Sequence, residues 1–382
     1  MIWTILISLA SIIYIWWIYA LLLSKKGGPS GNGFYKTSII IPCYNEEKDY
    51  LIQCVDSAMN TRGTWEVILV NNNSNKKGTL EAIKILKKKY KVLKVLNQPT
   101  QGKRFAHSKG LEHAEGDIIV FVDSDTILDE KAILELNKPF SDESIGGVAG
   151  QVYLANKNKN LLTRMIHSMF WTSGNIFRSA TSTGGFMQVM PGCISAYRKS
   201  DLMKLEKDYL SQQFAGRQCN ISDDRYLTLR MQTRLLKKIM FAPKAICYTF
   251  MPSTLLKFWK TLERWKRGVL REILLLWKEP NKMKNKLLFF DVYFNFLMTN
   301  LIFIPRIYLI YNLFFNFSWI SVASILIWVF IMNIFHGAYM VVYKPSIILT
   351  KYLYALCYEF FWSFSYIHAW INIQKQGMWS TR

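Results

Sequence analysis

Asp123 and Asp125 stand one residue apart at the end of an apolar run, Ile118-Ile119-Val120-Phe121-Val122. Such a run reads as a buried parallel strand. Open α/β sheets receive their ligands at the carboxyl ends of their strands. Hard cations such as Mg²⁺ and Mn²⁺ take oxygen ligands and share them with substrate phosphates. An Asp-x-Asp at that edge can therefore hold a metal on a nucleotide diphosphate. The same residues also make an ordinary acidic turn, so the pair argues for chemistry only in company.

The company is present. The strand-like run 37–41 leads into Pro42-Cys43-Tyr44-Asn45-Glu46-Glu47, with Pro42 expected to end the strand. The run 66–70 closes on Asn71-Asn72-Asn73-Ser74, short side chains able to bond the edge of a planar base. Gly102-Lys103-Arg104 follows the third run, where a lysine and an arginine can meet a diphosphate. Each is a polar loop by itself. Together they gather at one sheet edge.

The elements that must position them are a mainly parallel sheet with helices on its faces. Strands are expected at 37–41, 66–71, 91–96, 118–123, 147–153 and 245–249, with lysine-rich helical patterns such as 79–90 between the early ones. Six cysteines without a C-x-x-C pair indicate neither a zinc site nor a disulfide framework, and fit reduced thiols in a cytosolic domain.

The chain is 51% hydrophobic yet carries a net charge of +22, a mixture that suits a basic soluble domain tied to a membrane. Residues 2–23 are apolar and followed by Lys25-Lys26, which reads as an anchor with its C-terminal side in the cytosol. Residues 255–278 mix Lys and Arg with Trp and aliphatic side chains, as a helix lying in a membrane surface does. No nucleic-acid-binding motif accompanies the basic charge. Apolar segments return at 287–311, 319–343 and 347–373, the last interrupted by Lys351 and Glu359 and so read as a span plus an interfacial helix. Asp291, Pro305 and Arg306 lie in or near the first, and charges there usually face a bundle interior or a wet cavity. The divisions expected are an anchor (1–26), a catalytic domain (34–250), interface helices (251–285), a C-terminal membrane region (286–374) and a tail (375–382).

The order of motifs adds a resemblance. Ile41-Pro42-Cys43-Tyr44-Asn45-Glu46-Glu47, Gly102-Lys103-Arg104 and Val122-Asp123-Ser124-Asp125-Thr126 resemble the nucleotide-binding half of family-2 glycosyltransferases with the GT-A fold. Pro191-Gly192-Cys193, Ser222-Asp223-Asp224-Arg225, Arg264-Trp265 and the terminal Trp379-Ser380-Thr381-Arg382 look like the hyaluronan synthases and their chitin-oligosaccharide synthase relatives. Against that family's Gly-Asp-Asp-Arg, Gln-x-x-Arg-Trp and Trp-Gly-Thr-Arg, this chain has Ser222, Thr261 and Ser380. Asn71-Asn72 stands where many relatives have Asp-Asp.

The resemblance implies a GT-A-like α/β domain combined with transmembrane and interfacial helices. It implies that Asp123 binds UDP and that Asp125 is the closer ligand of Mg²⁺ or Mn²⁺. Lys103, Arg104 and Arg264 would hold the diphosphate, and Asp224 would be the general base. Trp265 would form the donor and acceptor end of the site, with Pro42, Tyr44, Glu46, Asn72, Gly192, Asp223, Arg225 and Trp379 as further substrate contacts. The implied partners are a UDP-sugar donor, a growing polysaccharide acceptor and the lipid bilayer, with no nucleic acid. The implied activity is processive, inverting polymerisation with export, hyaluronan from UDP-GlcNAc and UDP-GlcA first and a chitin-type chain next. A glycolipid glucosyltransferase of ceramide type is the enzymatic alternative. A transporter without catalysis would not need the Asp-x-Asp at a sheet edge.

Overall fold

The computed structural model describes residues 33–279 and 284–375, with Ile15 and Gly31 besides. The expected anchor and the tail motif with Trp379 lie outside the described residues. In chain order the domain runs β1 (Thr37–Cys43), α1 (Lys48–Asn60), β2 (Glu66–Asn71), α2 (Lys77–Lys89), β3 (Lys94–Asn97), α3 (Lys103–His113), β4 (Ile118–Phe121), β5 (Thr126–Leu128), α4 (Ala132–Asn137) and β6 (Ile145–Leu154). Then come α5 (Leu161–Thr172), β7 (Ser195–Arg198), α6 (Lys199–Ser211), the hairpin β8 (Gln213–Phe214) and β9 (Arg217–Gln218), α7 (Asp223–Thr233) and β10 (Lys238–Thr249). Helices α8 (Leu255–Leu276), α9 (Lys286–Phe315), α10 (Trp319–Tyr343), α11 (Ile348–Phe360) and α12 (Ser365–Ile371) follow.

Eight strands form one sheet in the order β3-β2-β1-β4-β7-β6-β10-β5. The first four are parallel, and chain order reverses between β1 and β4. That reversal opens a crevice at the carboxyl ends, where such sheets bind ligands. All seven residues of β1 are buried, as an apolar run covered on both faces requires. Pro42 does not end β1 but lies inside it, opposite Val70. Ile40 faces β4, its carbonyl accepting from the Val122 N–H. Pro42 shares that parity and turns its missing donor to the side where pairing with β4 has already stopped. The sheet also contains β7, antiparallel between β4 and β6, and β10 begins seven residues before the expected 245 because Pro243 sits in a register shift between Ala242 and Ile246.

Helix α9 is long and apolar enough to cross a membrane, and α10 joins it if its two arms, bent by 58°, count as one span. The third apolar segment is not one helix. It breaks at Trp362–Phe364 into α11 and α12, each too short to cross a bilayer. Tyr354 of α11 and Trp362 join the core beneath the sheet, and Trp362 meets Phe258 of α8 edge-on at 4.9 Å. Tyr366 and Ala369 of α12 pack on Leu270 of α8. Arg306 of α9 pairs with Glu359 of α11 at 2.6 Å, so that charge has its partner inside the bundle.

Candidate active site

The end of β4 delivers Asp123-Ser124-Asp125 into the crevice beside the loop after β1. Ser124 Oγ donates to Glu46 Oε2 at 2.9 Å, tying the two loops together, and Glu46 is buried. Asp125 is buried too, its Oδ1 accepting from Thr249 Oγ1 at 3.3 Å. The Asp123 side chain is about one-third exposed and pairs with Lys103. Lys103 is the first residue of α3, preceded by Gly102 at φ +136, a conformation that favours glycine. Burial pushes the Lys103 ammonium down, but Asp123 outweighs it and holds the lysine above its ordinary range.

Asp224 comes from the first turn of α7. Its Oδ1 accepts from the Arg225 N–H at 2.8 Å. Oδ2 faces Gly192, and there the separate motifs meet. A β-carbon placed on Gly192 would lie 3.1 Å from Lys103 Nζ, 3.5 Å from Asp123 Oδ2 and 3.7 Å from Asp224 Oδ2. Burial raises the Asp224 carboxyl above its ordinary value against the pull of Lys103, the direction a proton acceptor near neutral pH needs.

Residues 38–206, which carry Lys103, Asp123 and Gly192, match the glycosyl transferase family 2 model. An N-acetylglucosaminyltransferase of Azorhizobium caulinodans is 30% identical over 244 residues, which cover 63% of this chain and 61% of that protein. The chain spans between 50% and 61% of the length of such relatives. A hyaluronan synthase of Streptococcus pyogenes is 26% identical over 363 residues, 94% of this chain and 85% of that one. The fold is that of a mannosyltransferase from Pyrobaculum calidifontis solved with GDP-Man and Mn²⁺, at a TM-score of 0.63 and 17% identity over 98% of this chain and all of that one. The sheet is GT-A-like.

Three expected substrate contacts have work inside the protein. Arg104 follows Lys103 on α3, and one helical step of about 100° turns it away from the crevice toward Tyr209 and Asp223. It is fully buried, donating to Asp223 Oδ1 at 2.7 Å, the Tyr209 carbonyl at 2.6 Å and Gln212 Oε1 at 3.3 Å. A direct diphosphate contact does not fit that geometry, and neither does a substrate contact for Asp223, whose side chain is 5% exposed. The pair instead fixes the segment that carries Asp224. Asn72 is also fully buried. Its Nδ2 donates to the Thr100 carbonyl at 2.7 Å and its Oδ1 accepts from the Gly102 N–H at 2.7 Å, so it shapes the loop before Lys103 rather than offering its amide to a base.

Helix α8 brings Arg264 and Trp265. Burial lowers the Arg264 guanidinium, while Asp224 and Asp123 act on it in the other direction, which puts it within electrostatic reach of both. Trp265 meets Phe170 of α5 edge-on at 6.2 Å. Thr261, at the family's glutamine position, turns its hydroxyl back to the Lys257 carbonyl. Ser222, at the family's glycine position, has φ +55. Its hydroxyl lies where a β-carbon on Gly268 of α8 would stand, which locks α7 against α8. Glu272 and Arg271, both fully buried, continue that contact to Arg230 and the Ile221 carbonyl. Arg225 reaches Gln188 Oε1 at 3.4 Å, and Gln188 Nε2 donates to Asp291 Oδ2 of α9 at 2.7 Å. Gln188 had no signal in the sequence. Tyr44 is half-buried in the turn after β1.

The donor set fits the expected metal. No group of three or more His, Cys, Asp or Glu side chains comes together among the described residues. Asp123 and Asp125 offer carboxylate oxygens alone, which suits Mg²⁺ or Mn²⁺ completed by substrate phosphates and water.

Proposed function

We propose that the chain is a membrane-embedded, inverting glycosyltransferase that polymerises UDP-sugars on the cytosolic side and passes the polymer into its membrane helices. The observation that carries this reading is the meeting of Lys103, Asp123 and Asp224 around Gly192. A cation, a metal-binding carboxylate and a carboxylate with a raised pKa then surround one place where a donor sugar and an acceptor hydroxyl can meet. Lys103 and Arg264 bind the donor diphosphate. Asp123 and Asp125 would hold a divalent cation, which would supply positive charge against the departing UDP. Asp224 takes the proton from the acceptor hydroxyl as it attacks the anomeric carbon. A single displacement inverts that carbon, giving a β-link from an α-linked donor. Arg104 and Asp223 position Asp224, and Asn72 positions Lys103. Trp265 borders the acceptor.

Hyaluronan is the product proposed first, supported by a relative aligned over 94% of this chain. A chitin-type oligosaccharide is the second reading, supported by the N-acetylglucosaminyltransferase relatives. Membranes carrying the protein, supplied with radiolabelled UDP-GlcNAc and UDP-GlcA singly and together, separate them. Hyaluronan requires both donors and yields product sensitive to hyaluronidase. Product from UDP-GlcNAc alone, sensitive to chitinase, selects the second reading. One sugar added to extractable lipid refutes polymerisation. EDTA should stop incorporation, and Mg²⁺ or Mn²⁺ should restore it.

A further inference from the structure

Helix α5 does not finish in ordinary α winding. Ser173–Arg178 wind as a π helix before α winding resumes over Ser179–Thr183. Such turns are uncommon and concentrate at functional sites. The wider winding changes the direction in which the following side chains point. Gly174 permits this one, since a β-carbon there would run into the buried Gln151 side chain of β6.

The residue at the end of the π turn is Arg178. Its Nη1 is closed off from solvent and has no hydrogen-bond partner among the described residues. Burial pushes the guanidinium down to about 10, against the opposing pull of Cys193, Cys247 and Asp224. Gly174 rests on Gln151, and Gly150 beside it on β6 donates its N–H to the Ile194 carbonyl at 3.2 Å, two residues beyond Gly192, so the π turn lies beside the Gly192 segment. Asp224 already accepts from the Arg225 N–H and faces Gly192 with its other oxygen. A guanidinium has five donors and keeps its charge at any physiological pH, so leaving the Nη1 donors buried and unanswered is costly. It is built to be answered by an anion that arrives with substrate.

The donor diphosphate is not the best candidate. The π turn continues α5, whose Phe170 meets Trp265, the residue proposed to border the acceptor, edge-on at 6.2 Å. The residue before Arg178, Phe177, packs edge-on against His336 of α10 at 5.2 Å. The π turn therefore also touches the apolar helix α10. We propose that Arg178 receives the carboxylate of a uronic acid residue in the acceptor chain. This rests on the reading of the product as an alternating, uronate-containing polymer. A planar guanidinium matches a carboxylate with two parallel hydrogen bonds, which a neutral sugar cannot supply.

The test uses the full chain reconstituted in lipid and two short acceptors. One presents GlcA to an incoming GlcNAc, and the other presents GlcNAc to an incoming GlcA. Arg178→Gln should slow GlcNAc transfer onto the GlcA-ended acceptor by about tenfold to a hundredfold, largely through acceptor KM. GlcA transfer onto the GlcNAc-ended acceptor should stay within about threefold. Arg178→Lys should recover part of the loss, and the melting temperature of both variants controls for folding. Equal loss on both acceptors, or no loss on either, overturns the assignment while leaving the polymerase reading standing. A wild-type protein that extends GlcNAc-ended acceptors with GlcNAc and ignores GlcA in both positions overturns the alternating-polymer reading, and the Arg178 proposal with it.

Discussion

Gly192→Ala asks whether the space among Lys103, Asp123 and Asp224 is where reaction occurs. The added methyl would stand 3.1 Å from Lys103 Nζ, 3.5 Å from Asp123 Oδ2 and 3.7 Å from Asp224 Oδ2. The last two are ordinary contacts between non-bonded atoms. The first asks the flexible end of Lys103 to retreat by a few tenths of an ångström. Gly192 is not among the glycines held at positive φ, so alanine meets no backbone strain. Fold stability should therefore change little, and a gain of about 0.4–1 kcal/mol through the unfolded chain is the expected sign. Activity should respond differently. The methyl occupies the volume into which the donor's reacting end must come, and displacing reacting groups by about 1 Å costs on the order of 10²-fold in rate. Incorporation of labelled sugar should fall by about that factor, while the melting temperature holds or rises. A variant with activity within about twofold of wild type and an unchanged melt would show that the convergence is not the reaction centre.

Asp224→Asn should leave UDP-sugar binding by calorimetry nearly intact while transfer falls by about 10²-fold or more. A carboxyl raised on folding favours the fold while protonated, fully so below its unfolded value of about 3.9, and loses that benefit as pH rises through its folded value. At neutral pH the variant should accordingly melt no lower than wild type, with the difference vanishing in acid; a lower melt at neutral pH or lost donor binding would make Asp224 a structural residue. Arg104→Met should destabilise by about 3–5 kcal/mol, since it strands Asp223 without its partner, and adding Asp223→Asn should restore much of the loss in denaturant melts. If Arg104→Met alone unfolds like wild type, the pair does not hold the Asp224 segment. Ser222→Gly should stabilise by about 1 kcal/mol by relieving the left-handed backbone. Gly268→Ala should be poorly tolerated in wild type but accepted beside Ser222→Gly, and additive melts in that double-mutant cycle would refute the contact.

The parts of the site legible in sequence were those that a strong local pattern fixes. A covered parallel strand must be apolar and must end at the ligand edge, so Asp123 and Asp125 followed from the run before them. Lys103 and Arg104 could not be told apart in this way. They differ by one step of helical phase, and only the position of α3 shows that one faces the crevice while the other faces Tyr209 and Asp223. Strand β7 is four residues of mixed character, and its antiparallel place between β4 and β6 is a tertiary choice.

Helix α8 shows the same limit more fully. Its pattern of basic and aromatic residues reads as one face toward lipid, and in its first turn Leu255 and Leu256 are exposed. Its second half does not fit that pattern. Arg271 and Glu272 are wholly buried, and their cost is offset by Arg230, Gln212 and the Ile221 carbonyl. A sequence shows such residues as charges and therefore as surface. Their partners lie some 40 to 60 positions away, beyond any local period. The consequence bears on mechanism. The elements that carry Asp224 and Arg264 are joined by Ser222 against Gly268 and by this ion cluster, so a shift of α8 would disturb Asp224. On the proposed function, α8 would in this way be fastened to the residue proposed as the base, and an advance of the acceptor past Trp265 would be made by the acceptor and its surrounding helices rather than by α8.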